Sequence, residues 1–352
     1  MLKEIIDKVL MGKRLSFDEA YKLYLKASFY ELGDLANFIR KKKHPENIVT
    51  YVVDRNINYS NICVCGCKFC AFFKSPGEDG GYVLSFDELE KKIQETLELG
   101  GTQILLQGGH HPDLKLEFYE NMLSHIKEKF PTIHIHGFSP PEIVHFSKLN
   151  NLSIKEVIKR LIAAGLDSIP GGGAEILVDR VRHKVSPNKC SATEWLDVMD
   201  TAHNLGLKTT ATMMFGHVET MEDRILHLIR LRDLQDKTRG FTAFIPWGFQ
   251  PDNTRINARK ITSVEYLRLL AISRIVLDNF DNIQVSWVTM GPEIAQLALF
   301  FGGNDFGSTM IEENVVAATG VRFRLSIEEI ERYISEAGFE PRQRRMDYTL
   351  IS

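Results

Sequence analysis

Apolar residues recur with a helical period in several segments of the chain, and a short capping pattern stands just ahead of six of them. In this pattern a Ser or Thr is followed three residues later by Glu, so that the hydroxyl and the carboxylate each accept a hydrogen bond from the backbone of the first turn. Four of these segments end at a Gly, which tolerates the positive φ common after a helix. The caps are Ser16/Glu19, Ser85/Glu88, Ser153/Glu156, Ser191/Glu194, Thr262/Glu265 and Ser326/Glu329, and the glycines are Gly100, Gly165, Gly206 and Gly338.

Short apolar runs lie between these helices and are typical of buried strands. They start about 30 to 45 residues apart, the combined length of one strand, one helix and two loops, so the strands should be parallel. Seven such units and a short eighth strand near residues 302–308 predict an α/β fold, a (β/α)8 TIM-type barrel. The seven runs are residues 59–64, 102–107, 133–138, 166–170, 208–215, 240–246 and 283–289.

The chain is expected to divide into three parts. Residues 1–48 are predicted to form an N-terminal helical extension, residues 49–308 the barrel, and residues 309–352 a C-terminal segment packed on the barrel. The 352 residues are 44% hydrophobic, which suffices for a large core.

Charge and hydropathy exclude several classes of partner. The net charge is -3, and the two basic runs, "IRKKKH" and "RQRR", are short and are interpreted as solvated helix ends, so no nucleic-acid partner is expected. The chain has no apolar stretch of about 18 residues, so no membrane partner is expected. The charged N-terminus does not resemble a secretory signal. Five cysteines, four of them crowded together, fit a reducing cytoplasmic location better than a disulfide framework.

Each predicted strand is followed by residues poorly suited to a plain loop. In a barrel these segments converge on the C-terminal face, where the active sites of this fold lie, so an enzyme is expected. The segments are the cysteines, "QGGHHP", "GFSPPE", "PGGGAE", "FGHVET", "PWGFQP", "TMG" and "NDFGS".

The cysteine cluster carries the most specific chemistry. Cys63, Cys67 and Cys70 form a C-x3-C-x2-C pattern, and three thiolates fill three of the four irons of a [4Fe-4S] cluster, leaving one iron open. A structural zinc site is a weaker alternative because a second ligand pair is missing and Cys190 stands alone. A fully ligated cluster would need Cys65, which is poorly placed between two ligands.

This spacing, with an aromatic residue before the last cysteine, resembles the radical S-adenosylmethionine (SAM) superfamily. The resemblance implies that the open iron binds the amino and carboxylate groups of SAM, and that one electron from the cluster cleaves SAM to methionine and a 5'-deoxyadenosyl radical. It implies that Phe69 lies near the adenine, that the backbone of Gln107, Gly108 and Gly109 meets the methionine amino group, and that Glu175 and Arg180 contact SAM. For the last two, a helix-start glutamate and a solvated arginine are the structural alternatives.

A narrower resemblance is to the cyclic dehypoxanthinyl futalosine synthase family of the futalosine route to menaquinone. It implies a radical SAM oxidoreductase that takes hydrogen from C4' of the ribose of dehypoxanthine futalosine and joins that carbon to the neighbouring benzoate ring. An electron donor such as flavodoxin or ferredoxin is implied as a partner. The alternatives are an aminofutalosine synthase, a deazaflavin synthase-type enzyme, or a non-catalytic zinc or iron–sulfur module. The resemblance rests on "VDRNINYSNIC", "GGTQILLQGG", "HGFSPPEI", "AGLDSIPGGGAEIL", "TTATMMFGHVET", "FTAFIPW" and "MIEENV".

Other polar and aromatic residues at strand ends are candidates for the substrate site. Three catalytic candidates could hold the ribose hydroxyls or accept the proton lost when the ring regains aromaticity, although such histidines are often structural. Trp247 could stack on the substrate ring or pack in the lid, Ser308 and Thr309 suit the benzoate carboxylate, and Met213 and Met214 are expected in the core. The catalytic candidates are His136, His217 and Asp305.

Overall fold

Helices and parallel strands alternate along residues 2–321 and 323–351, the part of the chain that the structure, a computed structural model, describes. The strands are β1 (Ile48–Val52), β2 (Asp54–Asn58), β3 (Gln103–Gln107), β4 (His134–Gly137), β5 (Ser168–Ile169), β6 (Lys208–Phe215), β7 (Phe241–Gly248), β8 (Asn282–Ile283), β9 (Asp305–Ser308) and β10 (Glu340–Gln343). The α-helices are α1 (Leu2–Leu10), α2 (Phe17–Lys26), α3 (Phe29–Lys43), α4 (Phe86–Glu98), α5 (Leu116–Lys129), α6 (Pro140–Asn150), α7 (Ile154–Ala164), α8 (Asp179–Val185), α9 (Ala192–Asn204), α10 (Met221–Thr238), α11 (Ser263–Val276), α12 (Trp287–Met290), α13 (Pro292–Ala298) and α14 (Ile327–Glu336).

The sheet curls into a barrel. Strands β2 to β8 are parallel neighbours in chain order, and β9 lies beside β1, which also pairs with β10. Segment β9 closes the ring: the Val285 amide donates to Asp305 O over 2.9 Å on one side, and the Thr309 amide donates to Val52 O over 2.9 Å on the other. The predicted TIM-type barrel is therefore confirmed, with β9 as the short eighth strand.

Most inward-facing residues of β2 and β3 are polar, whereas Ile57, Ile104 and Leu106 face outward into the hydrophobic core. In β3, Ile104 and Leu106 are fully buried in the hydrophobic core, while Gln103 and Gln107 line the interior of the barrel. This is the period-two alternation of a strand with two different environments. The first strand was predicted at residues 59–64, but β2 ends at Asn58. The prediction was displaced because the inward-facing residues of β2 are polar, so the strand does not resemble an apolar run.

Helix starts agree closely with the sequence. All six predicted capping boxes are present, and Gly100, Gly165, Gly206 and Gly338 all have positive φ. Three further capping boxes occur at Ser28/Glu31, Ser139/Glu142 and Thr220/Asp223. The predicted strand 283–289 is only partly correct, because its second half forms the short helix α12.

The two chain ends pack on the barrel from different sides. The first helices cover its outer surface, with α3 against α11. After β10, the residues Arg344, Met346 and Tyr348 reach the cavity inside the barrel. The division at residues 48 and 308 stays a prediction. Within the described residues, no helix is both long and apolar enough to span a membrane.

Candidate functional site

A cavity of about 390 Å³ occupies the interior of the barrel and opens toward the cysteine loop. The interior of such barrels is usually filled by layers of branched apolar side chains. Here many inward positions are polar instead, which leaves room and hydrogen-bonding groups for a ligand. These positions are Asp54, Asn56, Asn58, Gln103, Gln107, His136, Thr210, Thr212, Gln284 and Ser308.

The three spaced cysteines lie on one side of this cavity. Cys63, Cys67 and Cys70 line it, whereas Cys65 is buried outside it, with its Sγ 3.1 Å from Nδ1 of His110. Among the residues described, no three His, Cys, Asp or Glu side chains converge on one metal ion. A four-iron cluster does not require this, because each thiolate binds a different iron. The donor set therefore fits a cluster with three protein ligands.

The thiol of Cys65 also affects its neighbours. Its hydrogen bond lowers the pKa of Cys63 to about 6 and lowers that of Cys67. The same hydrogen bonds raise the pKa of Cys65. Burial raises the pKa of Cys70 as well, so position at the cavity, and not thiol acidity, distinguishes Cys63, Cys67 and Cys70 from Cys65.

A buried charge network borders the cysteine loop. Lys189 Nζ donates to Glu175 Oε1 over 2.9 Å and lies 5.0 Å from the ring centroid of Phe69. Arg182 Nη1 lies 3.3 Å from the other carboxylate oxygen of Glu175. Burial raises the pKa of Glu175, but Lys189 and Arg182 lower it further, so the net shift is downward. Glu175 is thus an ionised, buried carboxylate at the cavity, next to Phe69.

Lys189 and Arg182 were not predicted at this site from the sequence, whereas Arg180, which was predicted there, lies elsewhere. Arg180 forms an ion pair with Asp223, and its side chain is 48% exposed, away from the residues that line the cavity. Lys189 carries no motif that would mark it. Its position depends on the loop between α8 and α9, which returns to the cysteine loop.

Close backbone packing explains the glycine pair after β3. A Cβ atom at Gly108 would lie 2.4 Å from the Tyr59 ring, and one at Gly109 would lie 2.1 Å from Ile62 O. Only glycine allows the two loops to approach so closely. The Gly108 amide and the Tyr59 hydroxyl both donate to Glu142, over 3.1 and 2.7 Å. Glu142, also missed from the sequence, ties these loops to the start of α6.

His136 lies inside the cavity. Its Nδ1 is 2.7 Å from Ser168 Oγ, and its Nε2 is 3.4 Å from Thr210 Oγ1. Burial lowers the pKa of His136 well below its ordinary value, so the ring is neutral. The lowered pKa makes this imidazole a weak base, and both ring nitrogens are placed for hydrogen bonds to hydroxyl groups.

The other two catalytic candidates are not among the cavity-lining residues. The Nε2–H of His217 donates to Met214 O over 3.0 Å, and its Nδ1 accepts from the Val218 amide over 2.8 Å. Asp305 is fully buried and pairs with Arg344, which does line the cavity. Both candidates can therefore influence the cavity only through other residues.

The remaining candidates divide between the cavity and the core. Trp247 lines the cavity. Ser308 also lines it but donates its hydroxyl to Asp54. Thr309 does not line it, and Met213 and Met214 are buried in the core as expected.

The interpretation of both basic runs as solvated helix ends is wrong in part. Arg40 in the first run is fully buried and donates from Nε to Gly303 O over 3.0 Å. Arg344 in the second run is 4% exposed, while Arg342 and Arg345 beside it are exposed. Burial of an arginine requires partners from distant parts of the chain, which a run of basic residues does not reveal.

Two protein-family models match the chain. The model described as "Radical SAM superfamily" matches residues 57–230. The model described as "CofH/MqnC C-terminal region" matches residues 238–352. Together they include strands β3 to β10 and the C-terminal segment.

Curated relatives match over nearly the full length. A cyclic dehypoxanthine futalosine synthase of Halalkalibacterium halodurans is 48% identical over 99% of this chain and 94% of its own. One of Streptomyces coelicolor is 44% identical over 99% of this chain and 88% of its own. An aminodeoxyfutalosine synthase of Thermus thermophilus is 42% identical over 97% of this chain and 93% of its own.

A solved structure with a similar fold supports the barrel architecture. The FeFe-hydrogenase maturase HydG from Carboxydothermus hydrogenoformans superposes with a TM-score of 0.78, covering 99% of this chain and 80% of that one, at 19% identity. At such low identity the match supports the barrel alone. From the full-length relatives and the cysteine triad in the barrel mouth, we conclude that the chain is an enzyme of the radical SAM superfamily and belongs within it to the family of the cyclic dehypoxanthine futalosine synthases.

Proposed function

We propose that the chain converts dehypoxanthine futalosine to cyclic dehypoxanthinyl futalosine in the futalosine pathway to menaquinone, by a cyclisation that forms a C–C bond. The observation that carries this proposal is the 48% identity to a cyclic dehypoxanthine futalosine synthase over nearly the whole of both chains. A cavity that is enclosed by the barrel and lined by three cysteines supports it.

In this proposal Cys63, Cys67 and Cys70 hold a [4Fe-4S] cluster, and SAM binds beside it. The two cofactors together supply a radical that abstracts hydrogen from an unactivated C–H bond. Phe69 provides an aromatic surface for the adenine, and the backbone around Gly108 faces the methionine group.

The charged groups of SAM require matching partners in the cavity. Glu175 is buried and ionised there, so its carboxylate suits the hydroxyl or amino groups of SAM, and the neighbouring Lys189 offers a cation for the carboxylate. Because Arg180 is exposed and bound to Asp223, we do not include it among the residues that hold SAM.

Within the barrel the protein excludes water and positions the substrate, because these tasks decide where a reactive radical acts. His136 lines the cavity, and we assign to its neutral ring a hydrogen bond to a ribose hydroxyl of the substrate, since burial makes it a weak base. Trp247 offers a face for the benzoate ring. His217 and Asp305 are proposed as positioning residues, because their side chains are held outside the cavity.

The electron donor must approach the cysteine loop. Three exposed cations lie around it: Lys68, Lys184 and Arg255. Lys68 is on the loop itself, and Arg255 Nη2 donates to Gly66 O over 2.6 Å. Lys184 precedes Val185, whose carbonyl oxygen accepts a hydrogen bond from the Lys68 amide. Such a surface suits an acidic redox protein such as a flavodoxin or ferredoxin. Both the donor and the oxygen-sensitive cofactor are consistent with a cytoplasmic enzyme.

Product analysis tests the proposal and its nearest alternative. Anaerobically reconstituted protein is incubated with SAM, a reductant and either dehypoxanthine futalosine or the substrate of an aminofutalosine synthase. We expect the cyclised product from the first substrate, together with methionine and 5'-deoxyadenosine in about equal amounts. An aminofutalosine synthase would instead join the adenosyl group to its substrate and release no 5'-deoxyadenosine, which would overturn the proposal.

A further inference from the structure

Two histidines of β4 share one serine. His134 and His136 are two residues apart on this strand and therefore project from the same face. Ser168 on β5 lies in register with His136, and its Oγ is 2.7 Å from His134 Nε2 and 2.7 Å from His136 Nδ1. The serine thus joins a histidine that lines the cavity to one that opens β4, nearer the N-terminal end of the barrel.

The hydroxyl group of Ser168 couples the tautomers of the two rings. It has one hydrogen, which it can donate to only one of the two ring nitrogens. Ser168 is fully buried, and within the described residues its hydroxyl has no hydrogen-bond partner besides His134 and His136. Because a buried donor without an acceptor is costly, the hydrogen points to one of the rings. The other ring, equally close, donates its own hydrogen to the serine oxygen.

The groups on the opposite side of His136 decide which ring donates. Thr210 Oγ1 accepts from the Gly171 amide over 3.0 Å and lies 3.4 Å from His136 Nε2, the only acceptor for the Thr210 hydroxyl hydrogen among the residues described. A hydrogen on His136 Nε2 would leave Thr210 without an acceptor, so the hydrogen belongs on Nδ1. Thr210 then donates to His136, and His136 donates to Ser168. Ser168 donates in turn to His134, whose other ring nitrogen is left for water because the residue is partly exposed.

His136 also lies at a suitable height in the barrel for a sugar. It pairs with Leu105 of β3, two residues before Gln107, which ends that strand beside the glycine pair. Two residues of extended strand span about 7 Å, so a sugar at His136 stays close to the loops that are proposed to hold SAM. The 3.4 Å contact between Thr210 and His136 Nε2 is long for a hydrogen bond, so a hydroxyl of the ligand can replace it.

We propose that Ser168 and His134 are positioning residues that hold His136 with its hydrogen on Nδ1, so that Nε2 accepts a hydrogen bond from a ribose hydroxyl of the bound substrate. The place of the hydrogen is inferred from the hydrogen-bond partners alone, whereas the ribose rests on the proposed function. Neither Ser168 nor His134 lines the cavity, so both act through His136.

The first measurement is nitrogen NMR of the holoenzyme with an oxidised cluster and isotope-labelled histidine. The signals of the two rings are assigned with the variants His134→Gln and His136→Gln. At neutral pH we expect the ring hydrogen of His136 on Nδ1 and a bare Nε2. A hydrogen on Nε2 of the wild-type protein would overturn the proposal.

Acid should reverse this hydrogen-bond chain without charging His136. Burial lowers the pKa of His134 below its ordinary 6.5 and that of His136 well below it, so His134 takes up a proton first. A protonated His134 can only donate to Ser168, which must then donate to His136 Nδ1, and the hydrogen of His136 moves to Nε2. The net change is the uptake of one proton, whose charge stays on His134. The charged groups that face His134 are Lys127, Asp167 and Asp347.

The titration is followed by the same NMR signals. The tautomer of His136 should change as the pH falls through the pKa of His134. An unchanged His136 signal while His134 becomes charged would show that the two rings are not coupled and would overturn the proposal.

The second measurement is equilibrium binding by calorimetry to the oxidised holoenzyme with SAM present, so that no turnover occurs. Dehypoxanthine futalosine is compared with analogues that lack one ribose hydroxyl each. The wild-type protein should bind at least one analogue about tenfold more weakly than the full substrate, the loss of one hydrogen bond to a buried acceptor.

Ser168→Ala removes the acceptor of the Nδ1 hydrogen and should release the tautomer of His136. This variant should bind the full substrate about tenfold more weakly and should no longer distinguish it from the matching analogue. Ser273→Ala is the control, because Ser273 is equally buried but donates its hydroxyl to Leu269 O within α11. The control should keep the wild-type tautomer of His136 and the wild-type ratio between substrate and analogue.

The outcomes separate this inference from the proposed function. If the wild-type protein cyclises dehypoxanthine futalosine but binds every deoxy analogue equally well, the role of His136 toward the ribose is overturned while the proposed function stands. A wild-type tautomer and ratio in Ser168→Ala would overturn the positioning role of Ser168. If the wild-type protein binds neither the substrate nor the analogues, the proposed function fails together with the ribose contact. The titration of the wild-type protein decides the coupling of the two rings even if Ser168→Ala does not fold.

Discussion

Arg344 Nη2 donates to Asp305 Oδ1 over 3.0 Å, and the Arg344 Nε–H donates to the other oxygen of the same carboxylate. The two residues lie 39 positions apart, on the C-terminal segment and on β9, and both are buried. Thr50 Oγ1 on β1 donates to this carboxylate as well, over 2.5 Å. One ion pair therefore joins the C-terminal segment to the strand that closes the barrel.

Replacing Asp305 with Ala should destabilise the protein by about 3 kcal/mol, because it leaves the Arg344 guanidinium buried without its anion. The measurement is urea unfolding of the cluster-free protein. Asp305→Asn keeps an acceptor for the Thr50 hydroxyl and should therefore lose less stability than Asp305→Ala. Equal stability of Asp305→Ala and the wild-type protein would show that the pair does not hold the segment in place.

Each of the substitutions Cys63→Ala, Cys67→Ala and Cys70→Ala should abolish the cluster. The Cys65→Ala and Cys190→Ala proteins should retain about four irons per chain. The reason is that the first three line the cavity and the last two do not. Iron content and visible absorbance after anaerobic reconstitution measure the outcome. Loss of the cluster in Cys65→Ala would contradict the assignment of three ligands.

Gly108→Ala should weaken SAM binding and destabilise the protein by about 2 kcal/mol, since the new Cβ would lie 2.4 Å from the Tyr59 ring. Equilibrium dialysis with SAM and thermal unfolding measure the two effects. The control is Gly206→Ala, where φ is positive but no atom lies within 4 Å of the new Cβ. It should lose only about 1 kcal/mol and bind SAM normally. Unchanged SAM binding in Gly108→Ala would show that the loop adapts.

Acid should destabilise the protein through His203. Its ring lies 2.7 Å from the hydroxyls of Thr238 and Thr209, and burial lowers its pKa from 6.5 to about 4. The neutral ring contributes stability that is present above pH 6.5 and is lost as the pH falls toward 4, up to about 3 kcal/mol. His203→Gln should flatten the dependence of unfolding free energy on pH in this window. The matched control is the same substitution at the exposed His183. Equal slopes of unfolding free energy against pH in the wild-type protein and in His203→Gln would refute the prediction.

His136→Gln should reduce the cyclised product by about tenfold while SAM cleavage continues, because a hydrogen-bonding group that positions the substrate is altered without loss of the cofactor site. The measurement is the ratio of cyclised product to 5'-deoxyadenosine. Trp247→Phe, which keeps an aromatic face in the cavity, should change this ratio less. A wild-type ratio in His136→Gln would show that this side chain does not position the substrate.

Local spacing in the sequence determined the helix starts and the cysteine loop. A capping box needs residues three positions apart, as at Ser16 and Glu19, and the three proposed cluster ligands lie within eight residues. The spacing of apolar runs also predicted the barrel. These features could be recognised because the atoms that interact are close along the chain.

The tertiary structure decided which side chains reach the cavity. His217 and His136 both follow or end a strand, yet His217 is held by its own turn while His136 points inward. Lys189 and Arg344 became part of the interior only because distant segments bring carboxylates to them. The direction of a side chain and the burial of a charge depend on partners that are far away in sequence, and the energy of a buried charge is set by those partners. For this reason the sequence predicted the cysteine loop that borders the cavity but not the buried charged groups around it.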